Sequence, residues 1–251
     1  GMVKESLKTS LCQDINLLRS VGLKPILVHG GGPEITRTLE KLGRKTELVD
    51  GMRVTDASDL KVVEMVLTGS VNKELVTLLN REGNHAVGLS GKDGALLRAR
   101  KLVDEGGRDL GQVGEVTSVN KSFLEMLLAQ EYVPVISPIG IGDDGQSYNL
   151  PADVVAAEIA IALSASKLIY LTDVPGVLDG EELMSELTAA ALRQRLEAGT
   201  LHNGMTRKVK AILKALAAGV ERVHIIDGRT PHSVIAELFT DRGVGTLITP
   251  G

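Results

Sequence analysis

The sequence predicts an α/β protein, a mainly parallel sheet with helices on both faces. Three observations carry that expectation. Short unbroken apolar runs such as Ile26-Leu27-Val28 read as central strands buried on both sides. Amphipathic helical stretches separate them. Three runs end in glycine, at "ILVHGGGP", "AVGLSGKDG" and "IYLTDVPGV". In open parallel sheets ligands gather beyond the carboxyl ends of the strands, so the chemistry is expected at such junctions.

Leu7 to Val21 sets Leu7, Leu11, Ile15, Leu18 and Val21 at helical spacing, and Gly22 supplies a C-cap. After the first strand, Glu34 to Leu42 reads as a helix closed by Gly43. "DASDLKVVEMVLTGSVNKELVTLLNREG" reads as one long helix or two broken near Gly69, and "HAVGLSG" as a short buried strand. "ALLRARKLVDEGGRDLGQVGEVTSV" has β-like pieces split by glycines and predicts hairpins. "VPVISPIGIG" is a further buried strand and "ADVVAAEIAIALSA" a small-residue helix suited to close packing. The strand "KLIYLTD", the amphipathic helix "MTRKVKAILKALAAG", the strand "RVHIID" and the helix "PHSVIAELFTD" follow, before "GTLI".

Composition excludes several classes. With 251 residues the chain suffices for one large α/β domain or two lobes around a buried core. Aromatics at 2% make that core aliphatic. A net charge of −4 without a basic stripe argues against nucleic acid. The single Cys12 has no disulfide or metal-spaced companion and fits core packing in a reducing compartment. No apolar run reaches membrane-spanning length and no signal-peptide core opens the chain, so a cytoplasmic protein with no membrane partner is expected.

The glycine junctions invite anions, because residues without Cβ let backbone N–H groups converge on a ligand; the ordinary alternative is a tight turn. No G-x-x-x-x-G-K-[ST] is present, and no G-x-G-x-x-G opens a helix with an acidic residue about twenty positions on. A G-x-S-x-G elbow is missing too, which disfavours a hydrolase. Histidines 29, 85, 202, 224 and 232 are scattered, so no metal site is expected. Anion-friendly loops with separated cations remain, and they suit phosphoryl transfer, which asks mainly for positioning and charge stabilisation.

The blocks "VHGGGPEI", "DGMRVTD", "VNKELV", "AVGLSGKDG", "PVISPIGIGDDGQSYNLPAD", "IYLTDVPGVLD", "NGMTRKV" and "RVHIIDGRTPHSVIAELFTDRGVGT" resemble, in order, the amino acid kinase family, and within it the N-acetylglutamate kinases. The resemblance implies a three-layer αβα sandwich with a mainly parallel central sheet, the carbamate kinase-like fold. It implies transfer of phosphate from ATP to the side-chain carboxylate of N-acetyl-L-glutamate, giving an acyl phosphate in arginine biosynthesis, with Mg²⁺ held mainly through the phosphates. One kinase domain over 1–251 is expected, with an amino-acid substrate lobe to about 150 and a nucleotide lobe from about 151.

By the same resemblance, Gly31 and Gly32 offer N–H groups to substrate and transferring phosphoryl oxygens. Arg53 grips the substrate α-carboxylate, a task for a planar and permanently charged fork. Asn149 bonds the substrate's amino-acid end, and the family usually has a second Asn where this chain has Pro151. Asp153 orients catalytic lysine, although a carboxylate before a helix also caps free N–H groups. Lys208 neutralises the transferring phosphoryl group, whereas its neighbours Arg207 and Lys210 read as solvated helix cations. Thr172, Asp173 and Gly176 fall in the nucleotide loop, where a plain Pro-Gly turn is the alternative.

The family opens on a strand ending in Lys-x-Gly-Gly, whose lysine is a second cation at the phosphoryl group. Gly1 and Met2 stand roughly where residues after that motif belong, and neither Lys4 nor Lys8 is a substitute. Weak catalysis by the chain as given is therefore expected. Two other readings stay open: a related kinase of an N-modified aminoadipate, and a kinase-fold binding or sensor protein. A homodimer is expected through Leu60 to Leu79, which carries more apolar residues than one core-facing stripe needs.

Overall fold

A computed structural model describes residues 5–103, 106–199, 201 and 205–251; Gly1, Lys4 and the Asn203-Gly204 start of "NGMTRKV" lie outside them. Helix α1 (Glu5–Ser20) buries Cys12, Ile15 and Leu18. It ends at Gly22, whose φ of 87° is the left-handed conformation expected of a C-cap glycine. Strand β1 (Leu27–Val28) leads through the glycines into α2 (Gly32–Lys41), which has Pro33 in its first turn. A hairpin of β2 (Leu48–Val49) and β3 (Met52–Arg53) precedes α3 (Ala57–Glu64). Asp56 caps α3, its Oδ1 accepting from the N–H groups of Ser58 at 2.8 Å and Asp59 at 2.7 Å. The expected break near Gly69 is instead a π-helical stretch, Met65–Val71, that joins α3 to α4 (Asn72–Arg81).

Strand β4 (Ala86–Ser90) is followed by β5 (Leu97–Val103) and β6 (Asp109–Val119), which pair antiparallel as the hairpin the glycines suggest. After α5 (Lys121–Ala129), the single strand expected in "VPVISPIGIG" is two: β7 (Val133–Ser137) and β8 (Ile139–Gly142). Pro138 between them has no N–H for a ladder. β7 stays in a parallel sheet, while β8 joins β5, β6 and β9 (Ser147–Asn149) in a small closed barrel. The rest of the chain is α6 (Ala152–Ala162), β10 (Lys167–Thr172), a β11 (Leu178–Asp179) and β12 (Glu182–Leu183) hairpin, β13 (Glu186–Thr188), α7 (Ala189–Glu197), α8 (Met205–Ala217), β14 (Arg222–Asp227), α9 (Ser233–Phe239) and β15 (Thr246–Thr249).

The sheet layer has two pieces. One is β1-β7-β4, all parallel; the other is β10-β14-β15-β13, where only the β14–β15 pair is antiparallel. Cys12 of α1, Leu79 of α4 and Val234 of α9 pack with Val135 of β7 and Ile226 of β14, so one helical layer covers both pieces. On the other side Ala157 of α6, Leu192 of α7 and Ile212 of α8 cover Val223 and Ile225 of β14. Among the described residues β1 pairs with β7 alone, and Leu27 and Val28 are half-buried. The register Val28–Ile136–Leu89 brings three carboxyl ends together, as Thr172–Asp227 does for β10 and β14.

The apolar surplus of Leu60 to Leu79 is consumed within the chain. Val62, Val63, Val66 and Leu67 pack on Ile35 and Leu39 of α2 and on Ile139 of β8, and Leu78 and Leu79 join the core under α1. Of this stretch's large apolar side chains Met65 is the exposed one, at 62%.

Candidate active site

The glycine loop after β1 lines a cavity of about 180 Å³ together with Arg53, Asn149, Pro151, Ala152 and Arg207. Gly31, Gly32, Arg53 and Asn149, expected to act on one ligand, thus meet in one place. A Cβ on Gly31 would lie 2.7 Å from Leu67 Cδ2, so a side chain there would push that leucine aside. A Cβ on Gly32 would meet nothing within 4 Å, so at that position space is open on the described side.

Arg53 ends β3 and is only 9% exposed. Its Nη1 donates to Thr46 Oγ1 at 2.8 Å, and its Nη2 donates to Thr36 Oγ1 at 2.7 Å and to the Gly32 carbonyl at 3.1 Å. Burial lowers its pKa and the Asp59 carboxylate opposes that, which leaves a guanidinium charged at any physiological pH. Asn149 is tied to the same strand end: its Nδ2 donates to Thr55 Oγ1 at 3.3 Å, and that hydroxyl donates to the Arg53 carbonyl at 2.8 Å. Pro151 forms the N-cap of α6 and the cavity wall beside Asn149. Sequence reading finds none of Thr36, Thr46 and Thr55, because an isolated threonine carries no pattern.

Asp153 lies in the first turn of α6 with its side chain 8% exposed. Its closest cationic partner is Arg207, not lysine. Arg207 Nε is 3.1 Å from Oδ1 and Nη2 is 3.2 Å from Oδ2, while Lys208 Nζ stands 4.0 Å from Oδ2. The reading of Arg207 as a solvated helix cation is thereby corrected: it clamps a buried carboxylate side-on and lines the cavity. Lys208 sits over the Tyr170 ring, 4.6 Å from its centroid. Burial lowers the Lys208 pKa; Asp153 raises it, Arg207 lowers it further and Asp173 raises it. Asp153 does accept the Val154 N–H at 3.0 Å, but the clamp is the larger part of its surroundings.

Thr172, Asp173 and Gly176 do not line the cavity with the glycine loop. Thr172 Oγ1 donates to the Val174 carbonyl at 2.8 Å and closes a local turn. A Cβ on Gly176 would lie 2.4 Å from Thr246 Oγ1, so this glycine admits β15. Asp173 alone reaches toward the chemistry, through its charge on Lys208 and Arg229. The third glycine junction is a packing device. Gly88 leaves room for Asn72 and Gly91 for the Ile139 carbonyl, while Ser90 N–H donates to Asp93 Oδ2 at 2.7 Å.

A helix-sheet-helix fold with a glycine loop and a buried arginine fork at strand carboxyl ends, and a lysine beside a clamped carboxylate in the first turns of two helices, is an α/β protein whose cations and free N–H groups suit a small anionic ligand. The chain matches the amino acid kinase family over residues 3–227. It is 51% identical to an acetylglutamate kinase of Syntrophobacter fumaroxidans, covering 99% of this chain and 87% of that one, and 48% identical to one of Nitrosococcus oceani, covering 99% and 86%. Among solved structures it is similar to N-acetylglutamate synthase from Neisseria gonorrhoeae complexed with coenzyme A and N-acetyl-glutamate: TM-score 0.88, 28% identity, 99% of this chain and 57% of that chain. Giardia carbamate kinase shares the fold, at TM-score 0.69 and 14% identity over 97% of this chain and 90% of that one. The chain belongs to the amino acid kinase family.

Proposed function

We propose that this protein transfers the terminal phosphoryl group of ATP to the side-chain carboxylate of N-acetyl-L-glutamate, forming the acyl phosphate of arginine biosynthesis. One observation carries the reading. A guanidinium has five N–H donors, and Arg53, buried at the cavity wall, gives three of them to neutral oxygens at 2.7–3.1 Å. An Nε–H and an Nη1–H remain, on different edges of the fork, so one N–H and the full positive charge are free for a carboxylate in the cavity. The relatives named acetylglutamate kinase, similar across nearly all of the chain, support the choice of substrate.

The acceptor is already an anion, so no base has to remove a proton. The obstacle is an anionic oxygen approaching an anionic phosphorus, and lowering it takes positive charge and aligned N–H donors. The Gly31 and Gly32 N–H groups, Arg53 and Asn149 hold the acceptor; Lys208, with its charge set by Asp153 and Arg207, stabilises the phosphoryl group in flight. Among the described residues no three His, Cys, Asp or Glu cluster as metal ligands. In this reading Mg²⁺ would be carried on the nucleotide's phosphates. When bound, that ion neutralises phosphate charge. The loops at Thr172 to Gly176 and the β14 end make the nucleotide side, and the division near residue 150 separates the two substrates. No helix of the described residues is long and apolar enough to cross a membrane.

The test is ATP-dependent acyl phosphate formation trapped as a hydroxamate, with N-acetylglutamate, the N-acetylated aminoadipate homologue and free glutamate compared. Hydroxamate with N-acetylglutamate as the best acceptor is expected. None with any acceptor, or a clear preference for the aminoadipate compound, would overturn the assignment.

A further inference from the structure

The glycine loop is held from beneath by two buried polar residues to which no role has been given. His29, 9% exposed, precedes Gly30, and Asn72, fully buried, opens α4. Polar groups this deep need partners, and every one can be accounted for. His29 Nδ1 lies 2.9 Å from the Gly30 carbonyl, which cannot donate, so Nδ1 carries the proton. His29 Nε2 then accepts from Asn72 Nδ2 at 3.0 Å. The second Asn72 Nδ2 hydrogen goes to the Val135 carbonyl at 2.9 Å, and Asn72 Oδ1 accepts from Lys73 Nζ at 3.0 Å. Turning the amide over would set Oδ1 against the Val135 carbonyl and Nδ2 against an ammonium, so the ring tautomer follows from the amide's surroundings. Burial lowers the His29 pKa; its bond to Gly30 opposes this and Lys73 adds to it, so the neutral ring is kept at pH 7. The strand beside the pair is shaped for it: a Cβ on Gly88 would lie 2.0 Å from Asn72 Oδ1.

A trans peptide is planar, with its C=O and N–H pointing opposite ways. The bond from His29 to the Gly30 carbonyl therefore sets the direction of the Gly31 N–H, in a loop whose glycines would otherwise let that peptide turn. The Gly31 N–H has no acceptor among the described residues, and Gly31 lines the cavity. We propose that His29, locked by Asn72, is a positioning residue that aims the Gly31 N–H at the anionic group reacting in the cavity. The inference rests on the phosphoryl-transfer reading given above.

Two substitutions separate positioning from packing. Asparagine at 29 can place its amide nitrogen near Nδ1 and keep the bond to the Gly30 carbonyl, losing the one to Asn72. Glutamine reaches the Nε2 position and does the reverse. A merely structural role predicts equal losses, since each variant drops one ring bond. Positioning predicts that His29→Gln lowers kcat by about 10²-fold, the scale of one misdirected oxyanion donor. KM for N-acetylglutamate should change less than about threefold, because Arg53 and Asn149 still hold the ground state. His29→Asn should recover at least about tenfold of that kcat loss. Equal kcat in the two variants, or a lower kcat for Asn, overturns the proposal. The amide ¹H–¹⁵N signal of Gly31 reads the same contrast without turnover: it should move more in His29→Gln than in His29→Asn, and the opposite order also overturns the proposal. A wild-type protein that makes no acyl phosphate while keeping the predicted order of signals would remove the reaction and leave the positioning role standing.

Discussion

Replacing Arg53 by alanine tests the substrate clamp most directly. The side chain gives three N–H groups to Thr46, Thr36 and the Gly32 carbonyl and has an Nε–H and an Nη1–H left, on different edges of the fork. One charge-assisted hydrogen bond to the substrate carboxylate contributes about 1.5–3 kcal/mol of affinity. That is a roughly 10- to 150-fold rise in the Kd of N-acetylglutamate. The lost anchoring bonds go to neutral oxygens and cost about 1–2 kcal/mol of stability, so a folded protein is expected. Since the clamp holds ground state and transition state alike, kcat at saturation should fall far less than kcat/KM. Calorimetric titration with N-acetylglutamate and with its α-carboxamide, on wild type and Arg53→Ala, closes a double-mutant cycle. Removing the carboxylate should cost wild type heavily and the variant little. If the two losses simply add, Arg53 does not bind that carboxylate.

Lys208→Met should lower kcat by about 10²–10³ with little change in KM for N-acetylglutamate, since its charge matters most while the phosphoryl group is between partners. The lowered Lys208 pKa means the needed ammonium is lost on the alkaline side at a pH below that of an ordinary lysine; Arg207→Met removes a depressing charge and frees Asp153, so the alkaline limb of the kcat profile should move to higher pH. A limb that stays put or moves down would show that Arg207 does not set this charge. Glu237 accepts from the N–H groups of Val244 at 2.7 Å and Gly245 at 2.9 Å and lies 2.7 Å from His224 Nδ1. Burial pushes its pKa up, but the bonds to His224, Val244 and Gly245 outweigh that and hold it below the usual carboxylate value. Its stabilisation is therefore present above the unfolded pKa and lost as pH falls through the lower folded one. Glu237→Gln should cost about 1.5–3 kcal/mol at pH 7, a gap in denaturant midpoints that narrows in acid; a gap independent of pH contradicts this account.

Helices and strands with strong periodicity were legible in the sequence because burial is what the periodicity encodes. β7 and β14, with Val135 and Ile225 fully buried, are such cases. β1 is less legible, because Leu27 and Val28 read as a fully buried run and are half-buried beside β7. The split at Pro138 was missed although the residue itself marks it. At the site, Arg53, Asn149 and the glycines are legible through long motifs, whereas the threonines that hold Arg53 and the Asn72 amide beneath the loop depend on contacts across 7 to 43 positions that no local pattern records. Nothing in "MTRKVKA" tells the clamped Arg207 from a solvated arginine.

The π-helical stretch Met65–Val71 gives the molecule a phase that it cannot easily lose. Leu67, inside it, closes over Gly31, and Asn72, one residue beyond it, reaches His29. The widened turns fix how far around the axis these two side chains stand from each other and from Val62 and Val63, which anchor the preceding helix in the core. Deleting one residue here would let the wide turns tighten to α-helical winding, which absorbs the lost residue and leaves everything downstream near its present angle. The same deletion within the regular turns of α3 would swing Leu67 and Asn72 about 100° away from the loop. The stretch thus acts as slack between α3 and α4, taking up a change of length without moving the supports of the loop.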